Sequence, residues 1–325
     1  MRIFFLTPFY YDLHVPILNE LERQGHEVVC MEDKKQHYDY RFKQINPFLK
    51  AAFKLINFCA NQNRKLWKRW MAEHPDSREK YDLFLCINGI SFHPVLLDFL
   101  RKKNPRIRSV LYLWDSLSFY DYLQYRDCFD KIMTFDWGDA MENSFIQLWP
   151  SYWCPTKPLP VKYDLSMIGS DHDGRFDFVS KICKQAEEAS LSSFLRVVIP
   201  PPETPEERLE YDRKLQAPYA TSQPFSIDQV LTLIDESRCI LDSDRPTQTG
   251  ATQRVIWALA RGKKIISTNT NLKNMPFYRE DQIQFIDRNN PVLDIDFIKN
   301  ESTFDIDEDL MQLRIDNWVK TLIAR

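Results

Sequence analysis

The chain has 325 residues, which at roughly 150 residues per domain makes about two domains, and 44% of them are hydrophobic, enough for a sizeable core. With 43 Lys plus Arg against 46 Asp plus Glu, the net charge of −3 excludes a global polyanion partner such as nucleic acid. None of the seven glycines falls in GxGxxG or GxxxxGK[ST] and none of the seven cysteines in CxxC, which excludes classical dinucleotide, P-loop and CxxC zinc or redox chemistry.

Strands and helices are expected to alternate from the start, the pattern of a parallel sheet covered on both faces. Arg2 to Thr7 reads as a strand, Pro8 to Asp12 as a loop, and Val15, Leu18 and Leu21 as the buried stripe of a helix closed by Gly25. Glu27 to Met31 is the next strand. The apolar opening is too short for a signal peptide and no stretch approaches the ~20 apolar residues of a membrane span, so a reducing cytoplasm is the expected compartment. Residues 41–72 contain no acid, and their Lys and Arg are interleaved with Phe48, Phe53, Phe58, Trp67 and Trp70. Such a stretch suits either peripheral contact with an anionic membrane or two helices packing their aromatic side on the first domain.

Tyr81 to Asn88 before Gly89, Ser109 to Trp114 and Lys131 to Phe135 read as buried strands, each leading into a polar loop. Ligands of open α/β sheets bind at such carboxyl ends. The candidate catalytic bases are therefore Asp115, then Asp136, then His14 with Asp12, and His93. Each has a plain structural role open to it as a helix cap or loop hydrogen-bonder. Six histidines show no paired ligand spacing, so no metal is expected.

Leu148 to Pro160 is the expected linker. Beyond it, Asp164 to Gly169, Phe194 to Ile199, Cys239 to Asp242 and Lys264 to Ser267 read as strands. Phe176 to Ala189 and Gln253 to Arg261 read as helices, and Asp307 to Arg325 as an amphipathic one. The turn Gln248, Thr249, Gly250, Ala251, Thr252 brings hydroxyls and small residues to a helix start, where free N–H groups favour a phosphate, with Arg254 one turn in. The alternative is an ordinary capped helix. Asp171 to Asp173 and Asp242 to Asp244 match DxD, and both are read as loop carboxylates.

The segment around residue 250, with Tyr163 to Ser170 and Arg175, Tyr112 to Ser116 and Phe129 to Asp136, resembles the CgeB-like glycosyltransferases of bacterial capsule, exopolysaccharide and lipopolysaccharide clusters. Their pattern Q-x-G-x-T-x-R-x-x-E followed by G-K-K-x-I-T-T-N is matched by Gln248, Gly250, Thr252, Arg254, Gly262, Lys263, Lys264, Thr268 and Asn269. The resemblance implies an α/β GT-B-like fold of two Rossmann-like, doubly wound parallel-sheet domains facing across a cleft, with the C-terminal helix crossing back. It assigns 1–155 to an acceptor domain, 156–305 to a nucleotide-sugar domain and 306–325 to the returning helix. It implies a metal-independent transfer from a nucleotide sugar to a glycan or lipid-linked glycan, the donor diphosphate meeting Gly250, Ala251, Thr252 and Arg254 with Ser170 and Arg175 opposite. One position departs: Trp257 stands where the family carries the Glu that pairs with ribose hydroxyls, and an indole accepts no such bonds. That departure favours the first alternative, an inactive scaffold subunit; a nucleotide-sugar epimerase of GT-B-like fold is the second.

Overall fold

The computed structural model describes residues 1–34, 62–153, 159–202, 204–301 and 304–324, together with 46, 48, 49, 51, 52 and 55. It divides into two compact units, Met1–Trp149 with Ile315–Arg325, and Pro150–Arg314.

In the first unit, strands β1 (Arg2–Thr7), β2 (Glu27–Glu32), β3 (Leu83–Ile87), β4 (Arg108–Leu113), β5 (Lys131–Thr134) and β6 (Ile146–Gln147) form one parallel sheet in the order β2-β1-β3-β4-β5-β6. Strands β1 and β3 read as unbroken apolar runs because helices cover both faces, and Phe4, Phe84, Leu85 and Ile87 are wholly buried. Helices α1 (His14–Arg23), α2 (Gln62–Glu73), α3 (Pro94–Lys103) and α4 (Trp137–Asn143) connect the strands. Trp67 and Trp70 of α2 meet Phe4 edge-on, with ring centroids 6.2 and 5.1 Å away. The described end of the basic stretch 41–72 therefore turns its aromatic side into the core; the rest lies largely outside the described residues.

The second unit repeats the plan. Strands β7 (Tyr163–Ser170), β8 (Ser193–Val198), β9 (Ala220–Thr221), β10 (Ser237–Asp242), β11 (Lys264–Ser267) and β12 (Ile283–Phe285) pair in parallel as β12-β11-β10-β7-β8-β9. Helices α5 (Arg175–Glu188), α6 (Pro205–Lys214), α7 (Ile227–Asp235), α8 (Gln253–Leu259) and α9 (Ile295–Lys299) connect them.

The single helix expected over Asp307 to Arg325 is two, α10 (Glu308–Met311) and α11 (Ile315–Ile323). The apolar spacing runs on through the break because Leu313 is buried in the turn itself. Helix α11 belongs to the first unit. Its Trp318 indole donates to the Trp149 carbonyl at 2.9 Å and stands edge-on to Tyr112.

Strand order alone selects two places. In each sheet the chain leaves its first strand toward one edge and later returns to that strand's other side, between β1 and β3 in the first unit and between β7 and β10 in the second. Such reversals open a crevice at the strands' carboxyl ends.

Candidate functional site

At the β7/β10 reversal, Ser170 ends one strand and Asp242 the other. Arg175 opens α5 and is 4% exposed, an unusual depth for a guanidinium. It donates to the carbonyls of Ser170 and Ser243, and its Nη1 lies 2.8 Å from His172 Nε2. No carboxylate among the described residues lies within 4.0 Å of it, and its Nε is buried without a hydrogen-bond partner. Burial, with Arg254, Arg288 and Arg245 nearby, brings its pKa down to about 9 against the opposing pull of Asp242. The fold thus spends free energy to keep a cation here.

The other three arginines are matched to acids. Arg254 reaches Asp242 at 2.8 Å, Arg245 reaches Asp173 at 3.2 Å, and Arg288 reaches Asp244 at 3.1 Å. Four guanidiniums thus face three carboxylates, and the surplus positive charge falls on Arg175. Of the two DxD matches, Asp171, Asp173 and Asp244 lie in loops, whereas Asp242 is the last residue of β10; Asp171 accepts from Lys214 at 2.7 Å, and the other three hold arginines. Asp242 is wholly buried and also accepts from Thr252 Oγ1 at 2.8 Å and Ser267 Oγ at 3.2 Å. Ser243 is wholly buried, with no partner for its hydroxyl.

The expected phosphate turn is built differently from the sequence expectation. Gly250 and Ala251 are buried, and the Gly250 carbonyl accepts from Gln248 Nε2 and Asn269 Nδ2, each at 3.0 Å. Thr252 caps its own helix by accepting from the Val255 N–H. Thr249 is half-buried in the same turn. Gln248, Gly250, Thr252 and Asn269 therefore lock the backbone, while Arg254 and Arg175 reach the cluster at the strand ends. Trp257 is a core residue, 5% exposed and edge-on to Trp153, with its Nε1 unpartnered. Lys263 donates to the Asp235 carbonyl at the end of α7, a helix-end contact rather than a ligand contact.

His172 links two of these groups. Its Nδ1 lies 2.8 Å from Asp173 Oδ2 and its Nε2 faces Arg175, so an Nδ1–H tautomer donates to the carboxylate and accepts from the guanidinium. Burial, Arg175 and Arg245 depress its pKa to about 4 despite Asp173. The unfolded imidazole takes its proton near 6.5, so between pH 6.5 and 4 the unfolded state binds more protons and stability falls as pH falls. Above 6.5 the contribution is complete. His14, His26 and His93 are depressed in the same direction. His172→Gln is expected to shrink the fall in urea midpoint over this window without abolishing it; an identical fall in wild type and variant contradicts the linkage.

In the first unit, the β1/β3 reversal brings Asp115, Asn88 and the loop after β1 together. Asn88 Nδ2 donates to Asp115 Oδ2 at 2.7 Å, and its Oδ1 accepts from the Trp114 N–H. Asn88 itself is left-handed at φ 60°. Asp115 is half-buried and so keeps access to solvent. Asp136, by contrast, is 2% exposed and caps α4 by accepting from the Asp139 N–H, and His93 caps α3 through Nδ1. Both are held as caps, which leaves Asp115, and His14 with Asp12, as the candidate bases. The sequence reading missed Asp33, which is 1% exposed and grips the next loop by accepting from the Ile90 and Ser91 N–H groups at 2.6 and 2.5 Å.

No protein-family model matches the chain, and no curated protein matches its sequence. Solved structures do share its shape. A trehalose-6-phosphate synthase, studied for glycosyltransfer with retention, aligns over 100% of this chain and 98% of its own at 10% identity and TM-score 0.56. The catalytic domain of starch synthase IV from Arabidopsis thaliana, bound to ADP and acarbose, aligns over 98% and 95% at 9% identity and TM-score 0.53. The E. coli structure described as trehalose-6-phosphate bound with UDP-2-fluoro glucose aligns over 100% and 98% at 11% identity and TM-score 0.54. The shared fold is GT-B. Among the described residues no helix is long and apolar enough to cross a membrane, and no three His, Cys, Asp or Glu are grouped to hold a metal.

Proposed function

We propose that this GT-B chain is a glycosyltransferase that moves one sugar from a nucleotide sugar to a glycan acceptor, and that the arginine cluster of the second unit holds the donor's diphosphate. The observation that carries the proposal is Arg175, a buried cation without a carboxylate, set at the strand-order reversal and flanked by Arg254, Arg245 and Arg288. A diphosphate supplies the anion this cluster lacks. Arginine forks suit phosphate oxygens, and preorganised cations stabilise the charge that develops on a departing nucleoside diphosphate without a metal. ADP and UDP-2-fluoro glucose are bound by two structures of the same fold.

Asp115 is the proposed general base in the first unit. Its carboxylate is oriented by Asn88 and accessible enough to meet an acceptor hydroxyl. The motif resemblance supports a bacterial surface glycan, of the lipopolysaccharide, capsule or exopolysaccharide type, as acceptor.

The test is turnover. The purified protein, incubated with UDP, GDP, dTDP and CMP sugars, is expected to hydrolyse at least one, water standing in for the acceptor and the nucleotide being released. Release of none, with the protein folded and nucleotide bound, favours the inactive scaffold, which the buried Trp257 in place of a ribose-binding Glu supports. Isomerised nucleotide sugar without release favours an epimerase.

A further inference from the structure

The loop after β1 carries three consecutive aromatic side chains outside the core: Phe9 is 39% exposed, Tyr10 51% and Tyr11 60%. Exposed aromatics scattered singly need no explanation, but three in a row at a strand-order reversal do. The loop is held in one shape at a cost. Tyr11 and Asp12 sit at φ 49° and 57°, a left-handed conformation costing an L residue about 1–2 kcal/mol. The Leu13 N–H closes the turn on the Tyr10 carbonyl at 3.1 Å.

Behind the aromatics lies a polar group without a partner. The His14 imidazole stacks on Phe9, with centroids 3.9 Å apart and planes at 7°, and is 7% exposed. Its Nδ1 is buried and makes no hydrogen bond. Asp12, Glu32, Asp33 and Asp115 surround the loop, and Tyr10 feels the last three of them. The described cation among them is Lys34, 4.0 Å from Glu32.

We propose that Phe9, Tyr10 and Tyr11 form a stacking platform for one uncharged pyranose ring of the acceptor, with Asp115 and His14 meeting its hydroxyls. This rests on the glycosyltransferase reading and deepens it by naming the substrate class of the first unit. An aromatic face is the negative side of a quadrupole, and the axial C–H face of a pyranose is its apolar, positively polarised complement. Fixed polar groups beside an apolar surface then select among ring hydroxyls. Asp12, exposed in the same loop, sets a like charge against a phosphorylated or carboxylated ring, so the site selects against charged sugars.

Saturation-transfer difference NMR on the full chain tests the platform without turnover. The probes are methyl α- and β-glucosides, galactosides and mannosides, with glucose 6-phosphate and glucuronic acid as charged counterparts. At least one neutral pyranoside is expected to show transfer to its ring C–H protons, and the charged sugars none. The double variant Tyr10→Ala/Tyr11→Ala is expected to lose the signal at least tenfold, while Tyr11→Phe keeps it. Both changed side chains are exposed, so a melting temperature within a few degrees of wild type certifies the fold. Undiminished transfer in the double variant, stronger transfer to glucose 6-phosphate, or no transfer to any neutral pyranoside overturns the proposal. Absence of nucleotide release from every nucleotide sugar defeats the transferase reading instead, and the NMR signal reports on the platform independently of that result.

Discussion

Arg175→Ala is expected to weaken binding of a nucleoside diphosphate by at least 30-fold. Removing one partner of a desolvated, charge-assisted contact costs about 2–5 kcal/mol, and 2 kcal/mol is roughly a factor of 30. The effect should be large here because Arg175 is the one member of the described cluster whose charge no carboxylate balances. A phosphate therefore gains its attraction without first displacing an internal ion pair. Arg254, already bound to Asp242, should give a smaller loss. Arg175→Lys keeps the charge but not the fork, and should restore part of the affinity. The measurement is isothermal titration with the diphosphate that stabilises the wild type. Equal affinities in wild type and Arg175→Ala remove Arg175 from the site.

Asp242→Ala is expected to be the most destabilising single change in the cluster, by about 3–5 kcal/mol. The carboxylate is wholly buried and accepts from Arg254, Thr252 and Ser267, so its loss strands a largely buried cation and two hydroxyls. Thr252 caps α8 and Arg254 lies in its first turn, so the damage spreads along β10 and its helix. Asp242→Asn keeps the volume and part of the hydrogen bonding and should cost less. Denaturant unfolding by circular dichroism provides the check, read on the transition of the second unit because two-domain chains need not unfold in one step. A loss under 1 kcal/mol contradicts this account of the cluster.

Much of the fold was legible because both sheets are parallel and covered, so β1, β3, β4, β7, β10 and β11 announce themselves as apolar runs. Strands β6, β9 and β12, only two or three residues long, carry no pattern, and α6 buries none of its residues. The site was legible only in part. Arg175 and Arg254 sit beside motifs, but Arg288 comes from a loop far along the chain and joins the cluster through Asp244, the Asp173 carbonyl and Thr268. No local signal marks it. The hydroxyls and glycine around residue 250 look available to a ligand in the sequence, whereas in the fold Asn269 and Gln248 take the Gly250 carbonyl and Asp242 takes the Thr252 hydroxyl. Asp33 was missed for a similar reason: its partners, Ile90 and Ser91, are reached only when β1 and β3 pair.

The most direct test of the central claim compares each nucleoside diphosphate with its own nucleoside by isothermal titration against the wild-type chain. If the arginine cluster seats the diphosphate, at least one of UDP, GDP, ADP and dTDP binds, and the matching nucleoside binds at least a hundredfold more weakly, the affinity falling as salt screens the contact. A nucleoside that binds as tightly as its diphosphate, or a salt-independent affinity, contradicts the account.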